Sequence, residues 1–250
     1  MTGKTIVISQ PMFFPWIGLF EQIALADTYI HYDDVQMPQG RSFMARVQLR
    51  DSSPAGQLWL SAPIEHNRSG ELISETFMQD GSVWRSKHLK TIVHLYGKAP
   101  YFKDMFAVIE GLYGMDEDNL AIFNMQAIER ISEWFGLDTV FRKSSEMGIG
   151  GSSSQRLFDL CKQESASCYV TGLGALNYLD HDLFDRGGID VCYMDYQKKP
   201  YKQLHDPFIP YVSIMDVMAN LGPDGREWMI SKALYWKEYV AHERDRKVSG

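Results

Sequence analysis

Ile8-Ser-Gln-Pro-Met-Phe-Phe-Pro-Trp-Ile-Gly-Leu-Phe20 lies between two apolar stretches, Thr5-Ile-Val-Ile8 and Leu19-Phe-Glu-Gln-Ile-Ala-Leu-Ala26. The first has the length and β-branched content of a buried strand, and the second reads as a helix. The turn between them carries two prolines, a glycine, a tryptophan and an amide. A plain connection needs only a few turn residues. Open α/β sheets place their ligands beyond the carboxyl ends of strands, so Gln10 and Trp16 become candidates for the mouth of a site.

The next segment, Ala26-Asp-Thr-Tyr-Ile-His-Tyr-Asp-Asp-Val-Gln36, reads as a second strand ending in Asp33 and Asp34. These acids could serve as a general base, a metal ligand or a ribose contact, or simply end the strand in solvent. Only one of two adjacent strand residues can face a pocket. The chain then turns at Pro38-Gln-Gly40 and passes Arg41 and Arg46. Strand, decorated turn, helix, strand and acids make the beginning of a Rossmann-like sheet.

Outward from there, residues 4–9 and 28–33 are expected as parallel strands around a helix at 17–26. Residues 42–49 and 57–62 alternate as a hairpin joined by Ser52-Ser-Pro-Ala-Gly56, and Leu72 to Phe77 suggests a further strand. Helical patterns over 83–96, 101–113 and 118–135 suggest a helical insertion or cap at 83–136 within one α/β domain, 1–250. Strand signals return at 139–142, 167–171 and 189–194, separated by helices near 152–164 and 174–186, which predicts βαβ units. A loop-rich stretch, 195–212, precedes helices expected at 213–221 and 223–242, and residues 243–250 are expected to fray. The fold class is therefore α/β: a Rossmann-like, mostly parallel sheet with a helical insertion and a β-hairpin.

Bulk properties exclude several classes. A formal charge of −7 lacks the basic field of a sequence-independent nucleic-acid coat. No apolar run approaches the roughly 18 residues of a membrane span, and Ser9 and Gln10 interrupt any secretory signal. Three cysteines without a CxxC pattern suit a reduced, cytoplasmic compartment. Cys161, Cys168 and Cys192 fall inside expected elements, not in the exposed helix-start setting of a reactive thiol. No HExxH or HxxxH spacing is present, so no metal is expected, and no GxSxG elbow marks a serine nucleophile. His31 reads as a packed residue.

Three later segments could bind a ligand. Tyr169-Val-Thr-Gly-Leu-Gly-Ala-Leu-Asn-Tyr-Leu179 follows a strand and is expected to open a helix. Gly172 and Gly174 could seat a phosphate or carboxylate or make only a tight turn, with Tyr178 nearby; Asn177 breaks the GxGxxG fingerprint. Gly148 to Arg156 offers small residues and a cation before a helix, either as caps or as a phosphate seat. In Tyr196-Gln-Lys-Lys-Pro-Tyr-Lys-Gln203, Tyr201 and Gln203 are candidate pocket walls, while Ser213 with Asp216 suggests a capped helix start.

The opening resembles the WbqC-like family: a Q-P-x-x-F-P-W-x-G pattern, then Ala26-Asp27, then Asp33-Asp-Val-Gln36, then an arginine. The resemblance continues through Trp59-Leu-Ser-Ala-Pro63, His88, Tyr96-Gly-Lys98, the Tyr169–Leu179 turn, Pro200-Tyr-Lys-Gln203, and Phe208 to Gly222, so it covers nearly the whole chain. Lys199 stands where the family pattern carries a histidine before the proline. The resemblance implies a bacterial enzyme of surface-polysaccharide (O-antigen-type) or related amino-sugar biosynthesis. Such an enzyme would transfer a small acyl or aminoacyl group to an amine of a nucleotide-linked sugar or similar metabolite. Gln10, Asp33, Asp34 and His88 would then be catalytic. Trp16, Arg41, Arg46, Lys98, Gly172, Gly174, Tyr178, Tyr201 and Gln203 would bind substrate. ATP or an acyl thioester is the candidate co-substrate, and a homo-oligomer the candidate assembly. A more distant similarity to HIGH-type nucleotidylyl transferases and pantothenate-synthetase-like ligases suggests ATP chemistry as an alternative, although Trp16 and Gly18 stand near the place of the histidine pair. A non-catalytic carbohydrate-binding or assembly factor is the third alternative.

Overall fold

The computed structural model describes residues 3–66 and 68–248, with side chains as far as residue 242. β1 (Lys4–Ser9) leads through α1 (Ile17–Leu25) to β2 (Thr28–His31). A hairpin of β3 (Arg46–Arg50) and β4 (Gln57–Ser61) follows, then three helices, α2 (Gly81–Tyr96), α3 (Phe102–Tyr113) and α4 (Leu120–Trp134). The sheet resumes with β5 (Val140–Lys143), α5 (Ser153–Gln163), β6 (Ala166–Thr171), α6 (His181–Arg186) and β7 (Asp190–Asp195). The chain ends with α7 (Ile214–Leu221), β8 (Lys232–Tyr235) and α8 (Trp236–Val248).

Among the described residues these strands form a six-stranded sheet in the order β5-β2-β1-β6-β7-β8, beside the separate β3–β4 hairpin. β5, β2, β1, β6 and β7 are mutually parallel, and β8 runs antiparallel to β7. The chain steps outward from β1 to β2 and β5, then returns to β6 on the other side of β1. This places the switch in winding direction between β1 and β6, where such sheets open a crevice beyond their carboxyl ends.

Both faces of the sheet are covered, which is why its strands read as continuous apolar runs. Val7 and Tyr29 pack with α1, the three-helix block and α7, while Ile6, Ile8 and Ile30 face α5, α6 and Tyr239 of α8. The alternation follows from the two-residue period of the pleat.

Four expectations are corrected. Leu72 to Phe77 is not a strand: it holds a 3-10 turn, Ile73–Glu75, flanked by single bridges from Leu72 to Gln36 and from Phe77 to Asn119. Each neighbour offers it one point of contact rather than a ladder. The helix expected at 223–242 is split. Gly222, at φ +65°, breaks the chain before Pro223, and the buried Glu21 carboxylate accepts hydrogen bonds from the Ser231 amide (2.9 Å) and hydroxyl (2.5 Å). That anchor lays Lys232–Tyr235 along β7. The helix expected at 174–186 is one 3-10 turn, Leu173–Ala175, followed by α6, whose start is capped by Asp180 accepting from the Leu183 amide at 3.0 Å. Finally, α8 continues to Val248 in the tail expected to fray; residues 249–250 lie outside the described residues.

Candidate functional site

The Gln10–Gly18 turn is laced to three other parts of the chain. Phe14 takes a left-handed backbone, φ +41°, which lets both Phe13 and Phe14 bury completely. Such strain persists only where the surroundings fix it. Asn124 on α4 donates from its amide to Pro11 O (2.9 Å) and Met44 O (2.8 Å). The Phe13 amide donates to Phe43 O at 3.0 Å. Ser213 donates from its hydroxyl to Phe14 O and from its amide to Gln48 O, both at 2.8 Å, and the Ile214 amide donates to Pro15 O at 2.8 Å. Turn, hairpin, α4 and the start of α7 therefore form one rigid frame.

Trp16 is the centre of that frame. Its indole lies across Gly18 in the first turn of α1, so close that a methyl group there would stand 2.2 Å from the ring. Tyr196 packs against it at 4.8 Å and Tyr211 at 5.0 Å between centroids. Tyr196 accepts from the Gln22 amide at 2.6 Å, which fixes its ring from below. Beside this platform is a cavity of about 420 Å³ lined by Met12, Phe13, Pro15, Trp16, Phe43, Val47, Gln48 and Tyr211. Its walls are mostly apolar, with the Gln48 amide, the Tyr211 hydroxyl and the Trp16 indole N–H the polar groups of its lining side chains, a composition usual for small-molecule sites. A second hollow of about 410 Å³ lies on the hairpin, lined by Gly40, Arg41, Ser42, Ala45, Arg46, Trp59, Ser61, Ala62 and Ile64. Phe43, Trp59 and Tyr211 are 54%, 40% and 48% exposed. Exposed rings gathered around cavities mark ligand surfaces more often than chance. A larger hollow of about 860 Å³ sits at the opposite edge, near Lys4, Asp27, Thr28 and Val140. That is the amino-terminal edge of the strands, away from the switch point.

The expected site residues divide. Gln10 directly follows β1, is half-buried, and its side-chain amide makes no hydrogen bond among the described residues. Trp16 lines the apolar cavity, and Arg41 and Arg46 line the hairpin hollow. Arg46 lays its guanidinium 3.7 Å over the Trp59 ring.

The acid pair is turned inward. Asp33, 3% exposed, accepts from the Ser144 hydroxyl (3.1 Å), the Ser145 amide (3.1 Å) and the Ser145 hydroxyl (2.7 Å). Asp34 accepts from Ser144 and from Arg156, each at 2.5 Å. The pair stitches β2 to the β5–α5 connection, and neither carboxylate lines the Trp16 cavity or the hairpin hollow. The cation expected of Arg156 is neutralised by the same contact.

His88 is also interior. Its Nδ1 lies 2.9 Å from the Tyr113 hydroxyl, with Trp84 and Phe13 around the ring. Burial pulls its pKa down to about 4, which favours the neutral ring near pH 7, and it lines neither hollow. Tyr201 and Gln203 donate to Asp216 at 2.7 and 2.9 Å, and Gln203 also clasps both backbone groups of Ile209. They tie the 196–212 loop to α7 instead of walling a pocket. Ser213 caps α7 as expected, its hydroxyl accepting from the Met215 amide at 3.3 Å, while the Asp216 carboxylate is held by Tyr201 and Gln203. Gly172 opens a single 3-10 turn, Gly174 is exposed within it and Tyr178 beyond it, and Lys98 stands exposed after α2, with none of them lining either hollow. Sequence reasoning missed Gln22, Phe43, Gln48 and Tyr211. A buried amide amid the apolar face of α1 was the available signal for Gln22.

Burial pushes the Asp216 pKa up to about 6, above its ordinary value of 3.8. The native state therefore holds this proton where the unfolded chain has lost it. The stability it contributes is complete below about pH 4 and is lost as pH rises through 6. His88 works oppositely: its contribution is complete above about pH 6.5 and is lost as pH falls towards 4. Relative to Asp216→Asn, the wild type is expected to lose about 2–3 kcal/mol between about pH 4 and pH 7, measured by urea unfolding at both pH values. A constant difference would mean that Asp216 ionises normally.

Among the described residues, no group of three His, Cys, Asp or Glu side chains could hold a metal ion, and no helix is long and apolar enough to cross a membrane.

Strand order and the position of the crevice make this a Rossmann-like α/β protein. The WbqC-like protein family matches residues 10–228, and the chain belongs to that family. The uncharacterised protein Rv1507c of Mycobacterium tuberculosis (strain ATCC 25618 / H37Rv) is 31% identical over 229 residues, covering 90% of this chain and 97% of its own. No solved structure matches the chain.

Proposed function

We propose that this protein transfers a small acyl or aminoacyl group to the amine of a nucleotide-linked amino sugar, in bacterial surface-polysaccharide (O-antigen-type) or related amino-sugar biosynthesis. The observation that supports this most is the aromatic cavity at Trp16, in the turn that follows β1 and begins at Gln10. An apolar wall suits an acyl group or a sugar face. The Gln10 carbonyl would accept a hydrogen bond from the acceptor amine and turn its lone pair towards the acyl carbon. With a thioester donor, the C–N bond forms as the C–S bond breaks, and the departing thiolate takes the proton released by the amine.

The platform of Trp16 and Tyr211 also fits a non-catalytic carbohydrate-binding factor, which would bind sugars and yield no product. ATP-dependent ligase chemistry is tested by pyrophosphate release. The experiment is product analysis by mass spectrometry of amino-sugar nucleotides incubated with acyl thioesters, or with ATP and a carboxylate. Gln10→Ala is expected to lower turnover about 100-fold, because misplacing a reacting group costs that much, with an unchanged thermal transition. Loss of folding in Gln10→Ala, or no acylated product from any donor, would contradict the proposal.

A further inference from the structure

The sheet edge has three ordinary places for an anion, and each is closed. The start of α1 is covered by the Trp16 indole lying over Gly18. Gly172 leads into one 3-10 turn rather than a helix, so no row of aligned amides faces the crevice. Arg156, at the start of α5, is paired with Asp34. Two arginines line the hairpin hollow, Arg41 in the turn before β3 and Arg46 at the start of β3. Arg41 is exposed and Arg46 half-buried, neither forms an ion pair among the described residues, and the Arg46 Nε is buried without a partner. Trp59 fixes the Arg46 guanidinium plane from one side.

This cationic hollow neighbours the apolar cavity on the hairpin. Gln48, which lines that cavity, pairs directly across the hairpin with Trp59, and Phe43 lies 5.8 Å from the Trp59 ring while lining the same cavity. Arg46 and Gln48, two residues apart on β3, project to the same face. Lys198 stands at the other end, 5.1 Å over the Tyr211 ring. The aromatic platform and the two arginines thus line neighbouring hollows. Guanidinium forks suit phosphate oxygens, and rings suit a base or sugar.

We propose that the β3–β4 hairpin is the diphosphate seat of this protein: Arg46 and Arg41 bind the diphosphate of a nucleotide-linked substrate, replacing the helix terminus or glycine turn that Rossmann-like sheets ordinarily use. The seat deepens the transferase reading and rests on its nucleotide-linked substrate. It also gives the hairpin, which adds nothing to the main sheet, a ligand-binding task.

Titration calorimetry with UDP, ADP and inorganic pyrophosphate, at low and high salt, tests it. Either nucleotide is expected to bind, more weakly as salt rises, and pyrophosphate alone more weakly still. Arg46→Ala is expected to weaken nucleotide binding at least about 10-fold and Arg41→Ala several-fold, with Lys90→Ala, an exposed cation on α2, without effect. Trp59→Leu leaves the charge in place and is expected to cost several-fold, which keeps the test valid if Arg46→Ala fails to fold. The proposal is overturned if neither nucleotide nor pyrophosphate binds the wild type, or if Arg46→Ala binds normally while Gly172→Ala does not. Arg46-dependent nucleotide binding without any acylated product would support the seat and contradict the transferase. Acylation of a phosphate-free amino sugar, undiminished in Arg46→Ala, would do the reverse.

Discussion

Gly18→Ala is expected to abolish ligand binding at the Trp16 cavity while leaving the protein folded. On an ordinary helix this exchange stabilises, by about 1 kcal/mol. Here the new methyl would lie 2.2 Å from Cζ2 of Trp16 and 2.4 Å from Cη2. The indole cannot yield sideways, because Tyr196 and Tyr211 pack against it. It must swing out and take the cavity wall with it. The helix gain and the packing loss partly offset, so the thermal midpoint is expected to move by only a few degrees. Turnover on whatever substrate the wild type accepts is expected to fall about 100-fold or more. Trp16→Phe, which keeps a smaller ring, should retain part of it. Normal turnover in Gly18→Ala would show that the indole position is not needed.

The second large effect is on folding. Arg50 is 2% exposed and bonds four carbonyls: Asp51 O (2.6 Å) and Gly56 O (2.5 Å) within the hairpin, and His205 O (2.9 Å) and Pro207 O (3.0 Å) in the 196–212 loop. It is the pin between the hairpin and the loop that carries Tyr211. Arg50→Met keeps the stem and removes every donor, leaving those carbonyls unsatisfied. The expected cost is about 3–5 kcal/mol, read as a lower urea midpoint. Faster amide exchange in residues 46–61 should accompany it, since the hairpin loses its tether to the body. Arg50→Lys should recover little, because one ammonium cannot reach carbonyls on both sides. An unchanged urea midpoint in Arg50→Met would remove Arg50 from the account of the frame.

The parts of the fold that declared themselves are those whose signal is local. Thr5–Ile8, the proline-rich turn and the helix after it define β1 and α1 by apolar period alone, and the β3–β4 hairpin by its alternation. β8 was hidden. Lys232-Ala-Leu-Tyr235 is short and flanked by helical patterns, and its strand state comes from lying beside β7, with Ala233 opposite Met194 and Leu234 opposite Tyr193. The site was legible in part for the same reason. Gln10, Trp16, Arg41 and Arg46 lie within 40 residues of one another, close to the decorated turn. The pairing of Asp33 and Asp34 was hidden because their partners Ser144, Ser145 and Arg156 lie more than 100 residues away, and a free acid pair looks the same in sequence as a satisfied one. His88, Tyr201 and Gln203 each close a buried polar contact, with Tyr113, Asp216 and Ile209. The Trp16–Gly18 pair was readable in principle, since a residue two places after a large ring, in the first turn of a helix, must be small if the ring folds back over it.

The central claim is that substrate occupies the carboxyl edge of the sheet between the Trp16 turn and the hairpin. The most direct measurement is the set of indole N–H resonances during titration of the nitrogen-15-labelled protein with a UDP-linked amino sugar. The signals of Trp16 and Trp59 are expected to move together with one dissociation constant, while those of Trp134 and Trp236 stay fixed. Saturable binding that leaves Trp16 and Trp59 unmoved would place the ligand elsewhere and contradict the account.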